Sequence, residues 1–474
     1  MAGMNTAKYL RYAILIGFLA LVGGAFYWQI GQRETLVAHP SNPHVLYQRR
    51  WLERGGILDS RGEVIADSAE GSHGFRRVYQ GTPGLAPIIG YYSLRYGVAG
   101  IEKTFDGVLM GQKYPGTSLL GRAKHSLFRQ AKGYDLVTTI DLRLQREIER
   151  IFGNHRGAVV VMEVRSGRIL AVASTPGFLP NDIDAHWQDI STHDGSPLYN
   201  RAFAGFYPPG STFKLVVLAA GLSRGITHLE SVFDDRGMIK IEGHQIANVG
   251  ERRWGQISLI DACAVSSNVV FIELGQKIGA RNVLEMAAGF GIGQEPPLVA
   301  DSLRAGKLPS GDISNLELAE VCIGQHGLVT TPLQLAMVVQ AIANDGLMME
   351  PMLIDAILDN INDMRWNNAP KPMRYVITPT VARDIKEAMT AVVSRGTGRR
   401  AALPEVSVAG KTGSAENPQG SAHAWFVGMA PAMYPEICLA VIVENGGSGG
   451  DVAAPLARDI FRAYFRGEPR ALSK

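Results

Sequence analysis

Ser211 and Lys214 open the stretch STFKLVVLAAG, a serine and a lysine three residues apart ahead of an almost wholly apolar run. Read as a helix, positions three apart share one face. Pro208, Pro209 and Gly210 supply the turn before it, and Phe213, Leu215, Val216, Val217 and Leu218 leave it no polar face, so it belongs inside the protein. A lysine there is costly unless it has partners or a task. One task fits both residues. A serine at a helix N-terminus lies where free N–H groups favour developing negative charge. A desolvated lysine, above all one near another cation, gives up its proton and acts as the base. Taken alone, the pair is equally well an N-cap serine beside a snorkelling lysine.

Two further groups have compatible chemistry. In AVSSNVVF, Ser266 and Asn268 can set a hydroxyl and a carboxamide on one side of a turn, one relaying a proton and the other holding a substrate amide. By itself this is a helix cap. In AGKTGSAE, at the end of a predicted strand over 406–415, Lys411 points a cation along one face and Thr412 points the opposite way. Gly413 removes a side chain where a backbone or ligand must approach closely. The N–H of Ser414 could pair with that of Ser211 as an oxyanion hole. By themselves, these are exposed edge-strand residues.

The elements that must position these groups are legible in outline. DLVTTIDLRLQREIERIF, from Asp135, reads as a strand running into an amphipathic helix, and AVVVMEV and RILAVAS flank Arg165-Ser166-Gly167 as a hairpin. The middle, 211–395, is mostly helical. One helix has Thr331 as N-cap, Pro332 at its first position, Gln334 completing a capping box and Gly346 beyond its end, and another begins at Thr378-Pro379. The chain then returns to strands (VSVAGKTGSA, HAWFVGMAP, ICLAVIVEN) and a last helix over 455–465. Strands from both ends around a helical middle predict an α+β domain, one antiparallel sheet packed by helices.

Ser-x-x-Lys, Ser-x-Asn and Lys-Thr-Gly in this order resemble the signature of serine acyltransferases that include penicillin-binding proteins and β-lactamases. The resemblance is to class B penicillin-binding proteins of the short-pedestal type, and it covers most of the chain. TTIDLRLQ, GAVVVMEVRSGRILAVASTPGF, YNRAFAGFYPPGSTFK, GQHGLVTTPLQLA, SRGTG, AGKTGSAE and HAWFVGMAP follow that pattern in order. Upstream, RGGILDSRGEVIA and GYYSLRYGVAGIEKTFDGVLMG resemble the pedestal; Ser60-Arg61 departs from the Arg-Asn of many relatives. The resemblance implies a peptidoglycan D,D-transpeptidase that forms an acyl-enzyme on Ser211 and is trapped there by β-lactams. Lys214 would be the base and Ser266 the proton relay. Asn268, Lys411, Thr412 and Gly413 would bind the D-Ala-D-Ala stem peptide, with the N–H groups of Ser211 and Ser414 as oxyanion hole. No cofactor or metal is expected. A polytopic lipid II polymerase of the shape, elongation, division and sporulation family is the implied partner, with Gly31 to Trp51 as coupling region. No glycosyltransferase domain is read before the pedestal, so glycan polymerisation is not expected.

Tyr12 to Ile30 carries no charge. As a helix its length is roughly 28 Å, against a hydrocarbon core of roughly 30 Å. Lys8 and Arg11 precede it, which predicts a single-pass anchor with the N-terminus in the cytoplasm and the catalytic part outside it. A cleaved signal peptide is the competing reading, but no A-x-A site follows. The expected layout is a tail over 1–11, an anchor over 12–30, a pedestal over 31–134 and a transpeptidase domain over 135–474. The 474 residues are 46% hydrophobic and 19% charged with a net charge of +3, and no basic stripe points to nucleic acid. Cys263, Cys322 and Cys438 lie in apolar surroundings and read as buried free thiols. A β-lactamase is disfavoured by the lack of an E-x-x-L-N loop. A D,D-carboxypeptidase shares every motif, and a non-catalytic scaffold or β-lactam sensor remains the alternative of another class.

Overall fold

A computed structural model describes residues 2–32, 50–72, 74–111, 132–359, 364–418 and 420–466, so most of the expected coupling region lies outside the described residues. A helix over Ala2–Phe26 continues as one π-helical turn, Tyr27–Gly31. Lys8–Gln29 is long and apolar enough to cross a membrane, and none of it is buried against the rest of the chain.

Five antiparallel strands form the central sheet, in the order Ala409–Ala415, His423–Ala430, Ile437–Val443, Gly157–Glu163 and Ile169–Thr175. Their residues are buried on both faces, so the strands read as near-continuous apolar runs. Successive side chains point to opposite faces. Val160, Met162, Val427 and Ala440 join one core cluster with the fully buried helix Pro332–Ala343. Val159, Val161, Phe426 and Val441 join another with the helices Leu142–Phe152 and Ala454–Arg466. Thr331 and Gln334 form the expected capping box, Pro332 occupies the first turn, and Thr378 caps Pro379–Arg395. All three cysteines are free and buried.

A second sheet, of six strands, was not foreseen. Its order is Met364–Asn367, Ile354–Leu358, Asp135–Thr138, Ile57–Leu58, Val64–Gly71 and Gly74–Tyr79. Ile57 pairs with Leu136 and Leu58 with Val137 in parallel, while Asp135–Thr138 pairs antiparallel with Ile354–Leu358. The contributing segments are short and far apart in sequence, so local alternation gives no sign that they meet. Residues 57–79 and the chain after 135 thus share one sheet and one core cluster.

Beside that sheet lies a buried charge cluster. Glu102, fully buried, accepts from Arg54 Nε at 2.7 Å, Arg77 Nε at 2.7 Å and Tyr79 Oη at 3.2 Å, and Arg54 also reaches Asp106 at 2.6 Å. Burial would raise the pKa of Glu102, but Arg77 and Arg54 outweigh it and hold the carboxyl below its ordinary value.

Candidate active site

Ser211 does not begin an α-helix directly. Gly210–Phe213 is a 3₁₀ turn, and the α-helix runs from Lys214 to Ser223. At three residues per turn, positions i and i+3 eclipse, which stacks Lys214 under Ser211. Gly210 has φ 53°, and a Cβ there would lie 2.8 Å from Ser414 O. The turn is therefore pressed against the edge strand of the five-stranded sheet, Ala409–Ala415. The contact is nearly as close from the strand side at Gly413, where a Cβ would lie 2.9 Å from Thr212 Cγ2 and 3.1 Å from Pro209 O. Trp425 Nε1 donates to Pro208 O at 3.0 Å, and Gly210 N to Gly324 O at 3.1 Å, holding the turn from two further sides.

Ser266 and Asn268 lie at a junction of two helices and not on one cap. Ser266 ends Leu259–Val265 in the left-handed conformation, φ 60° and ψ 42°, and Ser267 is the N-cap of Asn268–Ile278. That reversal brings Ser266, Asn268 and the two lysines together. Lys214 Nζ donates to Ser266 O at 2.7 Å and Asn268 Oδ1 at 2.8 Å, and lies 3.3 Å from Ser266 Oγ. Lys411 Nζ donates to Ser266 Oγ at 2.8 Å and Thr412 O at 3.1 Å. Both lysines are 0% exposed. No direct hydrogen bond joins Ser211 to Lys214 among the described residues; Ser211 is half-buried above them.

Burial, and after it the Lys411 charge, hold the Lys214 pKa well below the ordinary 10.5. Burial brings Lys411 down to about 8. A neutral amine carries two N–H groups and one lone pair. The two carbonyl acceptors on Lys214 account for both N–H groups, which leaves the lone pair to accept from a hydroxyl. Lys411, the less depressed, supplies the ammonium that donates to Ser266 Oγ.

Thr412 faces away from Lys411, as expected for a strand, and its hydroxyl lies 2.6 Å from that of Thr397. Thr397 was not singled out as a site residue, although it lies in SRGTG. Its N–H donates to Ala264 O at 3.0 Å, just before the Ser266 junction. Ser414 is exposed, with its Oγ accepting from Gly449 N at 3.2 Å. Two other residues also escaped sequence reading: Asp235, which accepts from the Ser267 hydroxyl, and Asn248, which accepts from the Asn268 N–H. A cleft of about 500 Å³ runs alongside, lined by Pro208, Gln325, His326, Leu328, Glu416 and Asn417. Among the described residues, no three His, Cys, Asp or Glu side chains gather as a metal site.

The penicillin binding protein transpeptidase domain family matches residues 157–462, more than half the chain. The chain belongs to the penicillin-binding proteins. Residues 54–132 match the penicillin binding protein A dimerisation domain family. The chain is 33% identical to the peptidoglycan D,D-transpeptidase PbpA of Mycobacterium tuberculosis over 93% of its own length and 95% of that protein's. It is likewise 33% identical to PbpA of Mycolicibacterium smegmatis, over 98% and 99%. Its fold resembles penicillin-binding protein A from M. tuberculosis in a penicillin G acyl-enzyme complex, with TM-score 0.79 and 32% identity over 88% of this chain and all of that one. A D,D-transpeptidase domain from Eggerthella lenta gives TM-score 0.79 at 30% identity, covering 87% and 98%.

Proposed function

We propose that this penicillin-binding protein is a peptidoglycan D,D-transpeptidase working through an acyl-enzyme on Ser211. The observation that carries the reading is the convergence of two buried lysines on one serine hydroxyl beneath the turn that carries another, half-buried serine. Lys214, neutral, takes the Ser211 proton directly or through Ser266, and Ser211 attacks the carbonyl of the D-Ala-D-Ala bond. The N–H groups of Ser211 and Ser414 stabilise the tetrahedral oxyanion. Ser266 returns the proton to the leaving D-Ala amine. Lys411 and Thr412, with Thr397 beside it, receive the terminal carboxylate, and Asn268 holds the peptide amide. An amine of a neighbouring stem peptide then takes the acyl group and regenerates Ser211. Because Ala409–Ala415 is an edge strand, the donor peptide can add along it as a further strand and reach the cleft toward Glu416.

The helix at Lys8–Gln29 supports a single-pass membrane anchor. With Lys8 and Arg11 on the cytoplasmic side, the pedestal over 31–134 and the transpeptidase domain over 135–474 stand outside the cytoplasm. A polytopic lipid II polymerase is the proposed partner, contacted through the anchor and the segment 31–51.

The test is gel labelling of membranes with a fluorescent penicillin. Wild type should retain label for many minutes and Ser211→Ala should take none. Label lost within seconds would instead indicate hydrolysis, and label persisting on Ser211→Ala would overturn the nucleophile.

A further inference from the structure

Two buried polar residues behind the Ser266 junction have no task in the acyl-transfer scheme. Asp235 ends the strand Val232–Asp235 at 0% exposure, and Asn248 follows the strand His244–Ala247 at 6%. Asn248 uses its whole hydrogen-bonding capacity. Its Nδ2 donates to both Asp235 oxygens, at 2.8 and 2.9 Å, and to Arg252 O at 2.9 Å. Its Oδ1 accepts from Asn268 N at 2.7 Å and Val269 N at 3.2 Å, the first two N–H groups of the helix Asn268–Ile278. Asp235 accepts in addition from Gly237 N at 2.9 Å and from Ser267 Oγ at 2.6 Å.

Capping alone does not account for this arrangement. Ser267 already supplies the cap by accepting from Val270 N at 3.1 Å. A carboxylate held in the interior by neutral donors is expensive, and no cation hydrogen-bonds to Asp235 among the described residues. What the arrangement achieves is rigidity on the far side of the Ser266 junction. The Asn268 backbone is fixed by Asn248, one Nδ2 N–H donates to Ala247 O at 2.8 Å and Oδ1 faces Lys214, which leaves the second Nδ2 N–H for the substrate.

We propose that Asp235 and Asn248 are a positioning pair for acyl transfer, setting the Ser267–Asn268 backbone so that the Asn268 carboxamide meets both Lys214 and the substrate. The inference rests on the acyl-enzyme reading above. The pair also has an electrostatic side. Lys214 is faced by Lys411, which lowers its proton affinity, and by Asp235, Cys263 and Cys322, whose negative forms raise it. Asp235 is thus a carboxylate that bears on the base, and it does so from behind the helix N-terminus, where a negative charge is favoured.

The experiment is a double-mutant cycle on the full-length protein in detergent, read as the second-order rate of acylation by a fluorescent penicillin. Asn248→Ala should slow acylation by roughly 10- to 100-fold, the scale of a misplaced catalytic group. Made on Asn268→Ala, the same substitution should cost less than about threefold, because the group it positions is already gone. Equal losses in both backgrounds, or acylation of Asn248→Ala within about twofold of wild type, would overturn the proposal. If Asn248→Ala shows no cooperative melt, the isosteric Asp235→Asn enters the same cycle with the same criteria. Wild type that is not acylated at all would overturn the acyl-enzyme reading and this inference with it; acylated wild type with additive losses overturns the positioning alone.

Discussion

Gly413→Ala tests whether the nucleophile is placed by direct contact between its turn and the edge strand. The added Cβ would lie 2.9 Å from Thr212 Cγ2, 3.1 Å from Pro209 O and 3.2 Å from Trp425 Cβ, where ordinary contacts are 3.4–4 Å. Relief requires the turn and the strand to part by about half an ångström, and neither side is free to yield. The strand is held by its ladder to His423–Ala430, and the turn by Trp425 Nε1 and by Gly210 N on Gly324 O. Overpacking of this kind costs about 1–3 kcal/mol of stability. Displacement of a reacting group by a fraction of an ångström to one ångström costs up to about 100-fold in rate. Gly413→Ala should therefore be acylated by a fluorescent penicillin roughly 10- to 100-fold more slowly than wild type while still folding. Gly289→Ala is the control: its Cβ would meet only Val376 Cγ1, at an ordinary 3.5 Å. Acylation of Gly413→Ala at the wild-type rate, with an unchanged melting temperature, would refute the steric account of that glycine.

Three more consequences can be measured directly. In the proposed mechanism acylation needs Lys214 neutral and Lys411 charged, so its rate should climb as pH rises through the depressed Lys214 pKa and fall again above about 8, where Lys411 loses its proton; stopped-flow acylation across pH 5–10 that shows no alkaline decline would count against the Lys411 role. Glu102→Ala leaves Arg77 buried without a carboxylate and Arg54 with Asp106 alone, and should cost about 3–5 kcal/mol in chemical denaturation at pH 7. Because the folded Glu102 pKa is depressed, the stability it contributes is present above the ordinary carboxylate value and is lost as pH falls through the folded one; a loss below about 1 kcal/mol would refute the pairing argument. Burial pushes the thiols of Cys263, Cys322 and Cys438 up, Cys322 to about 12, so a thiol reagent should titrate none of the three in native protein and all of them in guanidinium.

The sequence disclosed the parts of the molecule whose cause is local. Thr331, Pro332 and Gln334 act within one turn, the strands around Val160 and Val441 are short apolar runs, and each catalytic-motif residue sits in its own compact signature. What it concealed depends on distant segments meeting. Asp235 and Asn248 belong to no motif, and nothing in FDDRG or QIANV says that they end behind Asn268. The left-handed Ser266 is equally hidden, since a serine with positive φ has no mark in the chain. Lys214 makes no hydrogen bond to Ser211 among the described residues because, buried among better acceptors, it turns toward Ser266 O and Asn268 Oδ1. Spacing sets which residues share a face, but the hydrogen-bonding needs of a buried amine decide where it points.

The six-stranded sheet carries a consequence for where the chain can be cut. The expected boundary at residue 134/135 falls between Tyr134, itself 1% exposed, and the strand Asp135–Thr138. That strand is flanked by Ile57–Leu58 on one side and Ile354–Leu358 on the other. Ile57, Ile65, Leu85, Ile88 and Leu109 share one core cluster with Leu136, Ile140, Leu142 and Ile357. A chain begun at residue 135 would open one edge of Asp135–Thr138 and return those last four side chains toward water. At about 1.5–3 kcal/mol each this costs about 6–12 kcal/mol, as much as the whole net stability of an ordinary domain, about 5–15 kcal/mol. A bare strand edge is also a template for aggregation. Residues 135–474 expressed alone should therefore be largely insoluble, or melt far below residues 50–474, and bind fluorescent penicillin only in a small folded fraction. If instead the shorter chain were soluble, melted at the same temperature and acylated at the same rate, the pedestal would be an independent attachment and the shared sheet a contact of no energetic weight.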